Sequence, residues 1–443
     1  MFSFLNSPQR LARKEAAGWL EAARRVYHFR RDLLSATQLQ ALTAGTENLR
    51  QLVRERAGAP DLKRAIGKLE AVMKETGGRY FPVTTLVENV DFFLVAAIVI
   101  FGLRAYFVQP FKIPTNSMWP TYYGVTYELL PDDARGPGWL ARAGRFLAFG
   151  AIRHTATAPA DGEVLVPAIA LDAGRMLVLG SEKPGRTFGI FPTLNHEYIF
   201  SVNGEMTRFE ISDDFAGEFQ RLLAEKYVGR PDGDLAGFLY QQARKAGPAL
   251  GRSTMTLRYG GKDREFPVYW VPLGQHVAKG APILAFDTLS GDMLFVDRVT
   301  DNFFPPKVGQ GFVFKTENIH SPHMERPPGT QIRQYYIKRL AGVPGDQLEI
   351  RPPVLWRNGQ PIEGAAAFGQ NARREGLYPG YSYLGALSAG QVWNVPEHSY
   401  AALGDNSPDS EDSRAWGFVP EKDVVGRPLF IYYPLTTRWG PAR

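Results

Sequence analysis

The organisation of this chain is decided by the segment VDFFLVAAIVIFGLRAYFV at Val90–Val108, which is followed directly by QPFKIPTNSMWPT at Gln109–Thr121. Phe92–Leu103 is an unbroken run of 12 apolar or glycine residues, too short alone to cross a hydrocarbon core of about 30 Å. The whole segment is long enough if the side chain of Arg104 extends toward the lipid headgroups. We therefore predict a transmembrane helix over residues 89–108, and a buried core helix is the alternative.

Charge is distributed unevenly around this segment. Residues 1–88 contain 15 Lys and Arg against 9 Asp and Glu, an excess of +6 that equals the net charge of the whole chain. Basic residues such as Lys74 and Arg79 lie shortly before the apolar segment, which favours an N-terminus on the cytoplasmic side. Residues 109–443 are then expected to face outward.

Residues 8–80 show the apolar spacing of amphipathic helices, for example at Leu62, Ile66, Leu69 and Met73. This spacing predicts a small helical region that packs on itself. Docking of a partner protein or contact with the membrane surface are the alternatives.

The composition excludes several classes of site. The chain has no cysteine, so it contains no disulfide, thiolate metal site or cysteine nucleophile. Its seven histidines do not show the spacing of a metal site, and we predict neither a metal nor an organic cofactor. We also predict no nucleic-acid partner, because the basic excess lies upstream of the apolar segment rather than on a folded domain.

The chain beyond residue 109 is rich in short β-type runs that are separated by Gly and Pro. Examples are Met293–Val299, Gly311–Phe314, Gln334–Leu340 and Pro428–Tyr433. Their spacing predicts an all-β body rather than alternating βα units. Residues 211–247 interrupt the pattern with two expected helices.

Two residues could form a catalytic pair. The sequence lacks the motifs of a Ser-His-Asp triad, but a serine can also be activated by a neutral lysine. Lys338 lies in the apolar strand that begins at Tyr335, where burial could lower its pKa by the required 2–3 units or so. Ser117 lies between Pro114 and Pro120, which stiffen its loop. A solvent-facing strand lysine and a turn serine are the alternatives.

Residues 109–121 resemble the serine box of the type I bacterial signal peptidases, the leader peptidases that cut signal peptides from exported proteins. Tyr336–Asp346 (YIKRLAGVPGD) resembles the lysine box of that family, and Gly404–Gly417 (GDNSPDSEDSRAWG) resembles its G-D-N-x-x-x-S-x-D-S-R-x-W-G box. Gly291–Arg298 (GDMLFVDR) resembles the strand that normally follows the serine box. Three long motifs in order behind an apolar segment make the resemblance specific.

The resemblance implies a role for each matching residue. Ser117 would be the nucleophile and Lys338 the general base. The backbone N–H of Ser117 and the hydroxyl of Thr115 would form the oxyanion hole, and Ser410 would orient the lysine amine. A charge cluster, which we interpret as a structural salt-bridge group, would comprise Asp412, Arg414 and Arg339.

The chain departs from the family pattern in three places. Near Val308–Phe314 the Arg and Asp of the family's R-G-D are missing, which puts only a turn in doubt. Asn116 stands where the family frequently has Gly, a change that is not expected to abolish the chemistry. About 166 residues are inserted between Gly124 and Leu289. We predict a mostly β accessory domain here, with a pair of helices inside it. It either recruits exported substrates or partners, or is an inert elaboration.

The sequence thus predicts a mainly β protein, with a signal-peptidase-like β catalytic domain behind one transmembrane helix, an N-terminal helical region and a large mostly β insert. The expected segments are a cytoplasmic helical region at 1–88, a transmembrane helix at 89–108, a catalytic Ser/Lys peptidase domain at 109–123 and 290–434, an accessory insert at 124–289 and a C-terminal tail at 435–443.

The predicted function is that of a single-pass, membrane-anchored serine endopeptidase that removes signal peptides at the outer, periplasmic face of the cytoplasmic membrane. The resemblance implies exported preproteins with small residues at −1 and −3 as substrates, bound as an extended strand. The lipid bilayer and the secretion machinery are the other expected partners. Two alternatives remain: a self-cleaving or specialised processing protease with the same dyad, and a catalytically silent membrane scaffold.

Overall fold

The computed structural model describes residues 8–82, 85–131, 137–171, 174–187, 191–325 and 331–442. Residues 1–7 and 443, at the ends of the expected ranges 1–88 and 435–443, lie outside the described residues. The chain divides into two compact units, Met1–Gly102 and Leu103–Arg443.

The first unit is helical, with α1 (Pro8–Arg30), α2 (Ala36–Arg54), α3 (Ala59–Thr76) and most of α4 (Thr85–Tyr106), whose last four residues belong to the second unit. α2 begins with a capping box, in which Ser35 and Gln38 each accept a hydrogen bond from the other's backbone N–H. α3 begins after Gly58 with a proline in its first turn, where the missing N–H has no helical partner to lose.

Helices α1–α3 pack through the apolar faces that their sequence spacing creates. Leu62, Ile66, Leu69 and Met73 of α3 are all buried. They share one core with residues of α1 and α2, including Ala16, Val26, Leu42 and Leu49. Burial of these side chains supplies most of the stability of the unit, because short helices are marginal in water by themselves.

Helix α4 has a different composition. Its segment Asn89–Tyr106 has a mean hydropathy of 1.7 and none of it is buried, so by length and composition it could cross a membrane. The helix ends two residues before the expected boundary at 108. The cause is local: the carbonyls of Ala105 and Phe107 accept hydrogen bonds from Arg298, and the chain continues as a strand from Val108.

The second unit is mostly β, as the sequence predicts. Its strands are β1 (Val108–Lys112), β2 (Thr126–Leu129), β3 (Ile152–Thr157), β4 (Gly162–Leu171), β5 (Arg175–Val178), β6 (Ser181–Thr187), β7 (Phe191–Val202), β8 (Glu205–Ser212), β9 (Gly251–Tyr259), β10 (Lys262–Val277), β11 (Pro282–Leu289), β12 (Met293–Asp297), β13 (Gly311–Lys315), β14 (Tyr335–Gly342), β15 (Gln347–Arg351), β16 (Val354–Arg357), β17 (Gln360–Pro361), β18 (Trp393–Asn394), β19 (Ser399–Leu403), β20 (Val419–Pro420), β21 (Val424–Tyr433) and β22 (Gly440–Pro441). Its remaining helices are α5 (Trp139–Phe149), α6 (Asp213–Val228), α7 (Leu235–Ala246), α8 (Ala366–Arg373) and α9 (Ser413–Trp416).

One antiparallel sheet carries the candidate site. Its strand order is β1-β12-β21-β13-β14-β19-β20, with β22 paired to β21. In the register between β13 and β14, Phe312 lies opposite Lys338. Lys338 therefore lies on an inner strand of this sheet. A smaller sheet, in the order β17-β16-β15-β18, lies between β14 and β19 in the chain.

Strands β2–β11 form sheets of their own. One has the order β6-β7-β4-β10-β9, with β5 also paired to β4 and β8 also paired to β7. The other has the order β2-β11-β3. Helices α6 and α7 occupy the stretch 211–247, where the sequence predicts two helices. The core of this region includes Phe215, Phe219 and Leu222 of α6 and Phe286 of β11.

Candidate active site

Ser117 lies in a short 3-10 turn, Asn116–Met118, that follows β1. Met118 is fully buried and packs with Ile113 and Tyr122 beneath the sheet. Ser117 itself is half-buried and Thr115 is exposed. The turn thus points the side chain of Met118 into the core and leaves that of Ser117 partly accessible. A nucleophile requires such access.

The side chain of Asn116 holds this turn in place. Its Nδ2 donates to the carbonyl of Val125 at 3.2 Å and to Oε1 of Glu218 at 2.9 Å. Its Oδ1 accepts from the backbone N–H of Gly124 at 2.9 Å. A glycine at position 116 could form none of these bonds. The contacts link the serine turn to the first residues of the insert and to α6.

Lys338 is buried, with 3% of its surface exposed. Its Nζ donates to Oγ of Ser410 at 3.1 Å. Burial lowers the pKa of the Lys338 amine from 10.5 to about 8, while the negative charge of Asp412 acts in the opposite direction. A substantial fraction of this amine is therefore neutral near pH 8, and a neutral amine can accept a proton.

The serine turn and the Gly404–Gly417 segment lie against each other. The backbone N–H of Asn406 donates to the carbonyl of Ser117 at 3.1 Å, and its side chain donates to the carbonyl of Asn116 at 3.0 Å. A Cβ on Gly404 would lie 2.4 Å from the Ser117 carbonyl oxygen and 2.1 Å from Oγ of Ser410. Only glycine allows this close approach, which brings Ser410 and the serine turn together.

The expected charge cluster is two separate ion pairs. Arg414 and Asp412 form a buried bidentate pair with two contacts of 2.8 Å, and Asp412 also accepts from the backbone N–H of Gly404 at 2.9 Å. Arg339 instead pairs with Asp405 at 2.6 and 2.7 Å. The two pairs are separate because Arg339 alternates with Lys338 along β14 and points to the opposite face of the strand.

Sequence reasoning did not assign three of these residues to the site. Gly404 and Asp405 lie within the quoted Gly404–Gly417 motif. The motif could therefore have indicated that they belong to the site, although not which residues they contact. Glu218 lies 102 residues beyond Asn116 in the chain, and its sequence context gives no indication of the contact.

Thr115 has an extended backbone next to the turn, and its oxyanion role stays a prediction. Within the described ranges, no cluster of acidic and histidine side chains could hold a metal ion.

The buried Lys338 thus lies beside Ser410, on a strand that contacts the serine turn, and part of this chain is similar to known proteins. Residues 285–433, which contain Lys338 and Ser410 but not Ser117, match the family described as signal peptidase, peptidase S26. A probable signal peptidase I-1 of Synechocystis sp. is 33% identical over 150 residues, covering 34% of this chain and 66% of that relative.

Two further similarities are to other signal peptidases. Signal peptidase IB of Staphylococcus aureus is 33% identical over 108 residues, covering 23% of this chain and 54% of the relative. A crystal structure of a signal peptidase I from Enterococcus faecalis aligns with a TM-score of 0.21 and 29% identity, covering 28% of this chain and 95% of that chain. The chain thus spans between 54% and 66% of the length of the two curated relatives.

The matched family is thus a class of signal peptidases. These similarities confirm the resemblance to the type I signal peptidases that the sequence motifs carry.

The burial of Lys338 predicts an effect on stability that is separate from catalysis. Below pH 8 the folded chain holds a charged, buried amine, and this penalty disappears as the pH rises through 10.5, the ordinary pKa of an exposed lysine. We expect Lys338→Met, which keeps the volume and removes the charge, to increase the free energy of unfolding at pH 7. The increase should shrink between pH 8 and 10.5. Urea unfolding in detergent at pH 7 and pH 10 measures both values.

The matched control is Lys422→Met, which removes an exposed lysine of the same sheet region. This variant should leave the free energy of unfolding nearly unchanged at both pH values. A Lys338→Met chain that is less stable than wild type at pH 7 would contradict the argument.

Proposed function

We propose that this protein is a membrane-anchored serine endopeptidase that removes N-terminal signal peptides from exported preproteins, with Ser117 as nucleophile and Lys338 as general base. The observation that carries the proposal is the buried Lys338 amine, with a pKa of about 8 and a hydrogen bond to Ser410, on a strand that lies next to the Ser117 turn.

The proposed reaction begins when neutral Lys338 takes the proton from Oγ of Ser117. The oxygen attacks the scissile carbonyl, and the resulting oxyanion accepts hydrogen bonds from the N–H of Ser117 and the hydroxyl of Thr115. Lys338 then returns the proton to the leaving amine, which departs as the new N-terminus of the mature protein. The Lys338 amine next takes a proton from a water molecule, whose oxygen attacks the ester carbonyl. The ester C–O bond breaks, Lys338 returns the proton to Oγ of Ser117, and the signal peptide leaves with a new C-terminal carboxylate.

Ser410 serves this cycle as a positioning group. Its Oγ accepts a hydrogen bond from Lys338 Nζ and so fixes the direction of the amine lone pair. The Arg414–Asp412 pair holds the segment that carries Ser410, since Arg414 also donates to the Ser410 carbonyl at 3.2 Å. Asp412 and Arg414 are structural in this proposal, as is Arg339.

The sheet supports binding of the substrate as an extended strand. β1 is the terminal strand of its sheet, and the registered pairing of β14 with β19 begins at Arg339, after Lys338. The rings of Phe111 on β1 and Tyr335 on β14 are 5.1 Å apart, so the free edge of β1 and the start of β14 lie close together. A peptide between these two edges could add backbone hydrogen bonds to both. Small side chains at −1 and −3 are the preference that the family implies.

Anchoring by α4 would place the site where signal peptides emerge. The helix is apolar over Asn89–Tyr106, and the basic excess lies before it. We propose a single pass with α1–α3 in the cytoplasm and residues from 109 onward outside. Only ten residues separate Tyr106 from Ser117, so the nucleophile would stay at the membrane surface and meet its substrate at a raised local concentration.

The central test is cleavage of a model preprotein by the full-length chain purified in detergent. We expect one cut after a small residue, and a loss of activity of at least about 1,000-fold in Ser117→Ala and in Lys338→Met, because each variant removes one half of the dyad. Mass spectrometry of the products gives the cleavage site, and initial rates give the loss.

The matched controls are Ser388→Ala and Lys422→Met, which change exposed residues of the same domain and should keep the wild-type rate. Cleavage that persists in both dyad variants would exclude the assignment. A wild-type chain that cuts no preprotein would exclude the proposed function.

The pKa of Lys338 predicts the pH dependence of this activity. The base must be neutral, so kcat/KM should rise about tenfold per pH unit up to a midpoint near 8 and level off above it. Initial rates at low substrate between pH 5.5 and 9.5 give the profile, with folding checked by circular dichroism at each pH. A profile that is flat between pH 6 and 8 would be incompatible with Lys338 as the base.

Topology can be tested cleanly because the chain contains no cysteine. We expect the exposed position in Ser388→Cys to react with a membrane-impermeant maleimide in right-side-out vesicles, and that in Ala44→Cys to react only in inverted vesicles. The cysteine-free chain is the control for background labelling. The opposite pattern, or equal labelling of both positions, would reject the proposed orientation.

A further inference from the structure

Helix α6 of the insert has two faces with different surroundings. Phe215, Phe219 and Leu222 are fully buried and anchor the helix in the core of the insert. A polar stripe with the spacing i, i+4, i+7 faces the catalytic sheet instead, and it comprises Asp214, Glu218 and Arg221. The helix is therefore held rigidly by one domain and presents three charged side chains to the other.

Each residue of this stripe contacts a segment that carries or adjoins the dyad. Asp214 pairs with Lys112 at the end of β1. Glu218 accepts from Nδ2 of Asn116 at 2.9 Å, directly before Ser117. The third contact joins Arg221 Nη1 to a carboxylate oxygen of Asp409 at 2.7 Å, directly before Ser410. One helix face thus bridges the strand before the nucleophile, the turn that carries it and the segment that orients the base.

These three contacts differ in burial. The side chains of the Asp214–Lys112 and Arg221–Asp409 pairs are 37–52% exposed, and exposed ion pairs contribute little because water screens them. Glu218 is only 15% exposed. Burial raises the pKa of its carboxyl, while the Asn116 hydrogen bond and the charge of Arg221 oppose that change. A hydrogen bond sheltered from water holds its geometry better than an exposed ion pair.

The amide of Asn116 has two donors and one carbonyl oxygen, and its neighbours engage all of them. Val125 and Glu218 take the donors and Gly124 donates to the oxygen. This arrangement fixes both the plane of the amide and its direction. Removal of the Glu218 acceptor leaves one donor unpaired and allows the amide to rotate. The backbone of the turn, including the N–H of Ser117, is then less constrained.

We propose that α6 braces the active site and that Glu218 is a positioning residue for Ser117, which it reaches through the side chain of Asn116. The inference rests on the proposed peptidase function and assigns the insert a part in it. The insert is then neither an inert elaboration nor only a recruitment domain. A displacement of about 1 Å at a nucleophile can cost 100-fold in rate. Loss of the contact between α6 and the serine turn should therefore slow the chemical step rather than weaken substrate binding.

The first test compares three variants of α6 in the full-length chain, with steady-state cleavage of a model preprotein as the measurement. Glu218→Ala should lower kcat about tenfold and change KM less than twofold, because only the geometry of the nucleophile is affected. Glu218→Gln should keep most of the wild-type kcat, since its amide oxygen can accept the same bond from Asn116. This rescue separates a positioning role from a loss of charge.

The matched control is Glu225→Ala. Glu225 continues the same stripe on α6, but its carboxylate accepts from the hydroxyl of Tyr127 within the insert. This variant should keep the wild-type kcat. An effect equal to that of Glu218→Ala would indicate general loosening of the helix and would overturn the proposal, as would a folded Glu218→Ala chain with wild-type kcat.

A reciprocal pair of variants tests the contact even if Glu218→Ala fails to fold. Asn116→Asp replaces the donor with a carboxylate that faces Glu218, and kcat should fall at least tenfold. Adding Glu218→Gln restores a donor to the pair, so the double variant should recover at least fivefold over Asn116→Asp. A double variant no faster than Asn116→Asp would overturn the proposal. If the wild-type chain itself cuts no preprotein, the proposed function fails first and the inference fails with it.

Discussion

Burial of the Lys338 amine is the constraint on which the site depends. A charged amine in a protein interior is costly, so an enclosed lysine becomes neutral at a lower pH than an exposed one. Strand β13 pairs with β14 at Lys338 itself, and β19 joins β14 from Arg339 onward. The neutral amine still needs a hydrogen-bond partner, and Ser410 provides it. The sheet therefore determines the chemistry of this side chain as well as its position.

The surroundings of the lysine are organised by two buried ion pairs. Arg339–Asp405 and Arg414–Asp412 are almost fully enclosed, and both arginines make further hydrogen bonds to backbone carbonyls. A buried pair adds little net stability because desolvation of the charges offsets their attraction. Its geometry is nevertheless specific, since loss of either partner leaves an uncompensated charge. These pairs fix the shape of the segment that carries Ser410.

The insert is connected to this arrangement rather than appended to it. Its strands form separate sheets and it has its own core, yet one helix reaches the serine turn through Glu218 and Asn116. Asn116, a departure from the family pattern, is the residue that receives this contact. Residue 116 and helix α6 thus form the two sides of one interface.

The sequence by itself determined the resemblance to the signal peptidases and predicted the Ser117–Lys338 dyad, because such motifs are local and their spacing can be read along the chain. It also predicted the mostly β character and the apolar segment, since both depend on periodicity and composition. The helix end at Tyr106, the separation of Arg339 from Arg414 and the lowered pKa of Lys338 were decided by the tertiary structure. So was the contact between Glu218 and Asn116. Each of these depends on burial, or on which segments meet in space, and neither is encoded within a short stretch of sequence.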